Sequence, residues 1–284
     1  MLPPQPATAG ARLPAPPLPS PDVHWALFLD VDGCLLEFAD DPAAVVVSPT
    51  LHALLQALHD RLGGALALVS GRGVKDLDRL FGSPSWALAG LHGYELRYDD
   101  GRHREIAVDA ADETRMRAAV QALAARLEGV QLEDKHQAMA LHCRRAPQHL
   151  PALREAAEAL AAGLPGYELQ PGNLVVEFKP AGMDKGRVVD ELMQQPPFAG
   201  RTPSYLGDDL TDEHAFAAVN RAGGMSVRVG EREPSHARFT LPSPAAVQAW
   251  LERVRDAPGH GQDLAQGVPI DADNGGGQPP DRQP

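Results

Sequence analysis

Two carboxylates follow an apolar run near the start of the chain. Residues 26–29 are apolar, Asp30 and Asp32 come next with one residue between them, and Gly33 follows. Such a run is typical of a buried strand in a parallel sheet, whose carboxyl end is where open α/β folds bind ligands. Two acids in one pocket repel each other unless they bind a cation or share a proton, and a hard divalent metal is the obvious partner. Taken alone, the pair also fits a surface turn or a calcium-loop fragment, although a calcium loop has its glycine at the sixth position.

A second group of acids follows a later apolar run. Gly207 precedes Asp208, and Asp212 lies four residues further on, one turn into a predicted helix. Both carboxylates could reach one cation. Acids are also common in the first turn of a helix, where they interact favourably with the helix dipole. This group of acids therefore indicates a cation site only in combination with the other motifs.

Two further positions could bind an anion. Ser70 ends another apolar run and precedes Gly71, so it offers a hydroxyl and free backbone N–H groups at a helix N-terminus, which is a natural phosphate site. A plain N-cap serine would look the same. Lys185 opens a later helix, where most lysines are simply exposed. It is the joint occurrence of these motifs that favours a functional site.

The elements around these motifs alternate between strand and helix, which predicts a parallel sheet. We predict strands at 26–29, 65–69, 86–90, 203–206 and 225–229, and helices from Ser48-Pro49 to about Arg61, through Leu77 and Leu80, at 184–193 and at 211–219. A hairpin is predicted at residues 96–98 and 105–107. Between these parts the pattern changes to helix 112–127, strands 130–134 and 138–143, helix 150–162, and strands 167–170 and 174–178.

This change of pattern predicts two folded units. A discontinuous core is formed by residues 23–108 and 180–255, and residues 109–179 form an antiparallel α+β insert. The Pro-rich residues 1–22 and the acidic residues 256–284 contain little that is apolar, and we expect both tails to stay unpacked.

The composition limits the classes of partner. The chain has 284 residues, of which 43% are hydrophobic, and a formal net charge of -12, so nucleic acid is an unfavourable partner. Cys34 and Cys143 are the only cysteines and form no C-x-x-C motif, which fits a reducing cytoplasm. The first 22 residues lack the apolar stretch of a secretory signal, and no run reaches transmembrane length. We expect a cytoplasmic protein that does not enter membranes.

The order of the motifs carries a resemblance. Asp-x-Asp-Gly at 30–33, Ser-Gly-Arg at 70–72, Lys185 before a helix, and Gly-Asp-Asp-x-x-Asp at 207–212 together resemble the haloacid dehalogenase (HAD) superfamily of phosphohydrolases. More narrowly, the segments 132–135, 140–144, 175–180 and 207–213 are similar to the trehalose-6-phosphate phosphatase family, over roughly residues 24–254. The resemblance implies a doubly wound, mostly parallel α/β core, HAD-like and Rossmannoid, with an inserted α+β cap.

The resemblance also implies an activity, the hydrolysis of trehalose 6-phosphate to trehalose and phosphate, which is the final step of trehalose biosynthesis. Asp30 would be the nucleophile that forms an aspartyl-phosphate, and Asp32 the general acid and base. Mg²⁺ would be bound by the side chains of Asp30 and Asp208 and the carbonyl of Asp32, with Asp212 holding a metal-bound water. The phosphate would be bound by Ser70, Gly71 and Lys185.

Sugar specificity would come from the insert. The resemblance implies that Glu133, Lys135 and Glu177 contact the distal glucose, with Arg144 and Asn173 as weaker candidates; exposed strand residues would be the alternative for each. His92 and Gly93 match a His-Gly pair of the family, but His92 receives no role and could be structural. Cys34 replaces the usual threonine after Asp-x-Asp-Gly, and a thiol hydrogen-bonds poorly, so the rigidity of this loop is an open point.

Two alternatives remain at this point. The protein could be another HAD sugar phosphatase, for example one acting on sucrose phosphate, or a phosphosugar-binding regulator without turnover. The intact acids disfavour the regulator. In each case the partner is a small phosphosugar, and the oligomeric state is left open, with a monomer compatible.

Overall fold

The computed structural model describes residues 13–20, 22–38, 45–135, 137–172 and 174–258. In chain order the strands are β1 (Trp25–Leu29), β2 (Leu66–Val69), β3 (Ala87–Gly90), β4 (Glu95–Arg97), β5 (His103–Glu105), β6 (Gln131–Asp134), β7 (Met139–His142), β8 (Tyr167–Gly172), β9 (Val175–Pro180), β10 (Thr202–Gly207), β11 (Met225–Val229) and β12 (Phe239–Leu241). The α-helices are α1 (Pro49–Arg61), α2 (Val74–Phe81), α3 (Ala110–Ala124), α4 (Leu150–Ala161), α5 (Lys185–Leu192), α6 (Asp212–Arg221) and α7 (Pro244–Asp256).

The larger sheet has eight strands in the order β12-β11-β10-β1-β2-β3-β4-β5. All pairings from β12 to β3 are parallel, whereas β4 and β5 continue the sheet as an antiparallel hairpin. Helix α1 packs against α7, and α5 packs against α6. Every residue of β1 is buried, as its apolar sequence predicts for a strand in the middle of a parallel sheet. We call this unit the core.

The smaller sheet has the order β6-β7-β9-β8, and all its pairings are antiparallel. Helices α3 and α4 cover one face, and a separate apolar cluster that includes Met116, Leu141, Leu153 and Phe178 fills the space between them. We call this unit, from α3 to β9, the cap. Because its chain leaves the core after β5 and returns at α5, the cap is connected to the core by two chain segments.

The core helices α1 and α7 both begin with a serine cap followed by proline. Ser48 caps α1, accepting a hydrogen bond from the Leu51 N–H at 3.1 Å, and Pro49 occupies the first helical position. Ser243 and Pro244 repeat this arrangement at the start of α7. None of the helices within the described residues is long and apolar enough to span a membrane.

The predicted elements all occur within a few residues of their predicted positions, but two elements were not predicted. Strand β12 and helix α7 complete the core after β11. The Ser-Pro pair before α7 is the same signal that identified α1, so it could have been found. Residues 13–20, predicted to be unpacked, contact the core instead: Leu13 packs against it, and the Pro14 carbonyl accepts a hydrogen bond from Thr240 N–H at 3.0 Å.

Candidate active site

The two acidic motifs meet at one edge of the large sheet. β1 and β10 are parallel neighbours, with Leu29 opposite Leu206, so Asp30 and Asp208 leave the sheet side by side. One carboxylate oxygen from each of Asp30, Asp208 and Asp212 lies within 4.8 Å of the others. Asp30 is only 4% exposed and Asp212 is fully buried. The sheet thus concentrates three carboxylates in one buried place.

Lys185 is the cation that faces this cluster. It is the first residue of α5 and is 2% exposed, and its Nζ lies 2.9 Å from Asp30 Oδ1 and 2.7 Å from Asp212 Oδ1. Burial disfavours a charged lysine, but the carboxylates of Asp212 and Asp30 outweigh it and raise the pKa of Lys185 well above its usual value. Lys185 therefore neutralises part of the acidic cluster.

Asp212 fastens the loop that follows β10. Its Oδ1 accepts hydrogen bonds from Lys185 Nζ and from the Tyr205 hydroxyl, both at 2.7 Å. Its Oδ2 accepts from the backbone N–H groups of Asp208 at 2.8 Å and Asp209 at 2.9 Å. A carboxylate offers about four lone-pair positions, and here four donors use them. A Cβ on Gly207 would lie 2.3 Å from Asp212 Cγ, so this close packing requires glycine.

The cluster carries more negative charge than Lys185 balances. Burial and the neighbouring Asp212 and Asp209 carboxylates raise the pKa of Asp208 to about 8. Burial, together with Asp212 and Asp208, also raises the pKa of Asp30 well above its usual value, against the opposing effect of Lys185. Asp208 Oδ1 is buried without a hydrogen-bond partner among the described residues. A cation bound here would supply both the missing charge and the missing partner, so the residues fit a metal ion.

The glycine of the first motif leaves room for this arrangement. Gly33 has φ +83°, and a Cβ there would lie 2.4 Å from Asp208 Oδ2. The loop is closed by backbone hydrogen bonds from Gly33 N–H to Leu36 O at 2.7 Å and from Leu36 N–H to Val31 O at 2.9 Å. Cys34 is fully buried, and burial raises the pKa of its thiol well above the usual value. The loop is thus held without a side-chain hydroxyl at position 34.

Asp32 is paired with an arginine that received no role from the sequence. Arg72 donates from Nε to Asp32 Oδ2 at 2.7 Å and from Nη2 to Asp32 Oδ1 at 2.6 Å, which is a bidentate pair. The Arg72 backbone N–H also donates to Ser70 Oγ at 3.1 Å. The Ser-Gly-Arg motif contains this arginine, so the motif itself was the available signal.

The cap presents its polar residues on one face because its strands alternate. Glu133, Ala140 and Glu177 lie opposite one another across β6, β7 and β9. Lys135 Nζ donates to Glu177 Oε2 at 2.7 Å, and His142 Nε2 donates to Glu133 Oε2 at 2.8 Å. Burial would raise the pKa of Glu177, but Lys135 outweighs it and the pKa falls below the usual range. His142 was not predicted as part of this group.

Core and cap line one cleft of about 690 Å³. The core contributes Asp30, Asp32, Ser70, Gly71 and Lys185, and the cap contributes Glu133, Lys135, Glu177 and Arg144. Asp209 also lines the cleft, whereas Asp208 and Asp212 are not among the described residues that line it. Asn173 lies outside the described residues.

Comparison with known proteins decides the family. The family model described as trehalose-phosphatase matches residues 28–245. A probable trehalose-phosphate phosphatase of Sinorhizobium fredii (strain NBRC 101917 / NGR234) is 46% identical over 230 residues, which are 80% of this chain and 86% of that protein. The trehalose-6-phosphate phosphatase of Escherichia coli (strain K12) is 41% identical over 239 residues, 84% of this chain and 90% of that protein. This chain belongs to the trehalose-phosphatase family.

A solved member of the trehalose-phosphatase family has the same fold. The C-terminal domain of Candida albicans trehalose-6-phosphate phosphatase superimposes with a TM-score of 0.74 at 24% identity, covering 87% of this chain and 99% of that domain. The predicted fold class, a mostly parallel α/β core with an inserted α+β cap, is confirmed.

Three contacts of this trehalose-phosphatase family member were beyond the sequence motifs. They are the Arg72–Asp32 pair, the Tyr205–Asp212 hydrogen bond and the approach of His92 Nε2 to Glu177 Oε1 at 3.8 Å. Each joins residues from different elements. A motif can single out a residue such as Arg72, but spacing along the chain does not show which side chain it contacts.

Proposed function

We propose that this protein hydrolyses trehalose 6-phosphate to trehalose and phosphate. The observation that carries the proposal is that the family match over residues 28–245 coincides with a cleft whose core side holds Asp30 and whose cap side holds Lys135 and Glu177. An acid suited to attack phosphorus and polar groups suited to sugar hydroxyls share one space. The volume of the cleft, about 690 Å³, is in the usual range for small-molecule sites.

We assign to the acids the roles that the family resemblance implies. Asp30, buried at the cleft floor, attacks phosphorus and becomes an aspartyl-phosphate. Asp32 gives a proton to the leaving sugar oxygen and later takes one from water. To do so it must loosen its pairing with Arg72, and the substrate phosphate would compete for that guanidinium. Ser70, Gly71 and Lys185 are assigned to the phosphoryl oxygens.

For the metal, we propose Mg²⁺ held by the carboxylates of Asp30 and Asp208 and the carbonyl of Asp32. Mg²⁺ would neutralise the charge of phosphate beside these acids and help align the phosphoryl group. Asp212 contributes charge to the cluster, but its oxygens already accept four hydrogen bonds, so its proposed task is to hold the 208–212 loop rather than a metal-bound water.

A phosphate-release panel tests the proposed activity. Purified protein is offered trehalose 6-phosphate, sucrose 6-phosphate, glucose 6-phosphate and p-nitrophenyl phosphate. We expect kcat/KM for trehalose 6-phosphate to exceed the others by at least about tenfold, since the others lack its pattern of sugar hydroxyls. A preference for sucrose 6-phosphate would assign another sugar phosphatase, and tight binding of a phosphosugar without turnover would assign a regulator.

Removing the metal ion tests whether activity and stability depend on Mg²⁺ at the proposed site. Chelation should abolish phosphate release, and added Mg²⁺ should restore it. Mg²⁺ should also raise the Tm, because a ligand that binds only the folded protein stabilises it. At a free Mg²⁺ concentration one hundred times the Kd, the gain in the free energy of unfolding is about 2.7 kcal/mol. Asp208→Asn should lose most of this Tm increase, while Asp60→Asn, at an exposed acid on α1 away from the cleft, should keep it. An unchanged Mg²⁺ response in Asp208→Asn would contradict the site.

The proposed location is the cytoplasm. Cys34 and Cys143 are both buried free thiols, which is the state that a reducing compartment maintains.

A further inference from the structure

His92 is a buried cleft residue that the roles above leave unused. It lies in the short turn after β3, is 6% exposed, and has left-handed backbone angles, φ 57° and ψ 28°. A histidine in this conformation is uncommon. Its backbone N–H donates to Ser70 O at 2.9 Å, and a Cβ on Gly71 would lie 2.9 Å from the imidazole Nε2. The ring is thus fixed against the part of the core assigned to phosphate.

The imidazole faces a cap carboxylate that is incompletely paired. His92 Nε2 lies 3.8 Å from Glu177 Oε1, which is too long for a hydrogen bond. Glu177 Oε1 is buried and has no hydrogen-bond partner among the described residues, whereas Oε2 is bound by Lys135. Both His92 and Glu177 line the cleft. A buried acceptor left unpaired destabilises a fold unless a ligand or water completes it.

The pair offers one donor and one acceptor at a useful spacing. Burial lowers the pKa of His92 although the nearby Glu177 carboxylate raises it, which favours the neutral ring, and Nε2 is the ring nitrogen that faces Glu177. A hydroxyl oxygen about 2.8 Å from each of two atoms fits between atoms this far apart, accepting from one and donating to the other. A phosphate oxygen fits poorly, because it has no proton to donate to Glu177.

We propose that His92 is a specificity-determining residue supplied by the core, which together with Glu177 binds one hydroxyl of the sugar between Nε2–H and Oε1. The inference rests on the proposed function and deepens it. It means that the sugar is recognised jointly by core and cap, so that a sugar lacking this hydroxyl would leave both partners unpaired.

Two substitutions separate this role from a structural one. Asn adopts left-handed backbone angles readily, but its amide is too short to reach the position of Nε2. Gln is less suited to the backbone, but its amide nitrogen lies about where Nε2 does. We expect His92→Asn to lower kcat/KM for trehalose 6-phosphate about 10- to 100-fold and that for p-nitrophenyl phosphate less than about threefold. His92→Gln should recover most of the loss.

Monodeoxy analogues of trehalose 6-phosphate identify the hydroxyl. In the wild type, one analogue should lose at least about tenfold in kcat/KM. For that same analogue, kcat/KM should fall little further when His92→Asn or Glu177→Gln is introduced, because the hydroxyl that these residues would bind is already absent. Thermal melting of each variant checks folding, and if His92→Asn does not fold, the Glu177→Gln arm and His92→Gln carry the comparison.

Several results would overturn the inference. One is that His92→Asn lowers kcat/KM equally for trehalose 6-phosphate and p-nitrophenyl phosphate. Another is that His92→Gln is no more active than His92→Asn. A third is that the His92 and Glu177 variants are insensitive to the loss of different hydroxyls. Wild-type turnover is measured first, so failure of the proposed function is recognised separately. If the wild type uses another sugar phosphate, the same variants are compared on that substrate.

Discussion

Asp30→Asn is expected to abolish phosphate release, with a loss of about 10⁴-fold or more, while the fold and substrate binding survive. An amide is a poor nucleophile toward phosphorus, so no aspartyl-phosphate forms. The cap contacts and most phosphate contacts do not involve Asp30. Phosphate release measures the first effect, and calorimetric titration with trehalose 6-phosphate measures the second.

The same substitution should not lower stability at pH 7 in metal-free protein. The pKa of Asp30 is raised by burial and by Asp212 and Asp208 despite Lys185, so the ionised form is disfavoured in the folded state. A neutral amide removes that repulsion, and we expect an equal or higher Tm. Asp60→Asn, at an exposed acid on α1, serves as the control. Undiminished turnover in Asp30→Asn would remove it from the nucleophile role.

Lys185→Met is expected to remove activity and also to destabilise the protein by about 3–5 kcal/mol, because it leaves two buried carboxylates without their cation. Lys185 Nζ contacts both Asp30 and Asp212, and its side chain is 2% exposed. Denaturant unfolding of metal-free protein measures the free energy of unfolding. The matched control is Lys75→Met, which removes an exposed lysine on α2 and should change stability by less than about 0.5 kcal/mol.

A double substitution tests whether charge is the cause. Adding Asp30→Asn to Lys185→Met should recover part of the lost stability, since one of the unpaired carboxylates is gone. Additive losses in the double variant would instead assign the effect of Lys185 to packing.

Much of the core site could be predicted from sequence because its chemistry sits at strand ends. An apolar run followed by Asp30 or Asp208 places the acid at the carboxyl edge of a parallel sheet, whichever strands pair. Glu133 and Glu177 were candidates only through the family resemblance, and their shared position across β6, β7 and β9 is a finding of the structure. The position of an acid at a strand end depends on residues close to it in the sequence, and for that reason it could be predicted.

The side-chain partnerships could not be predicted in the same way. Four donors meet on Asp212 because a lysine on α5, a tyrosine within β10 and two loop amides converge in the folded state. The resemblance implied that Asp212 holds a metal-bound water, and its four hydrogen bonds are the ground for the loop-holding role proposed above. Arg72 pairs with Asp32 within the core, and His92 approaches Glu177 of the cap, so both contacts arise only in the folded state.

The pairing of β1 with β10 also determines when the site can assemble. β2 follows β1 closely in the sequence. The other neighbour of β1, strand β10, follows only after the whole cap and α5. Contacts between distant segments form slowly, because the intervening chain loses conformational entropy before the contacts contribute favourable energy. The cap, with its own apolar cluster and contiguous sequence, can form locally. We therefore expect Asp30 and Asp208 to come together only after β10 has paired with β1, later than the local contacts of the cap.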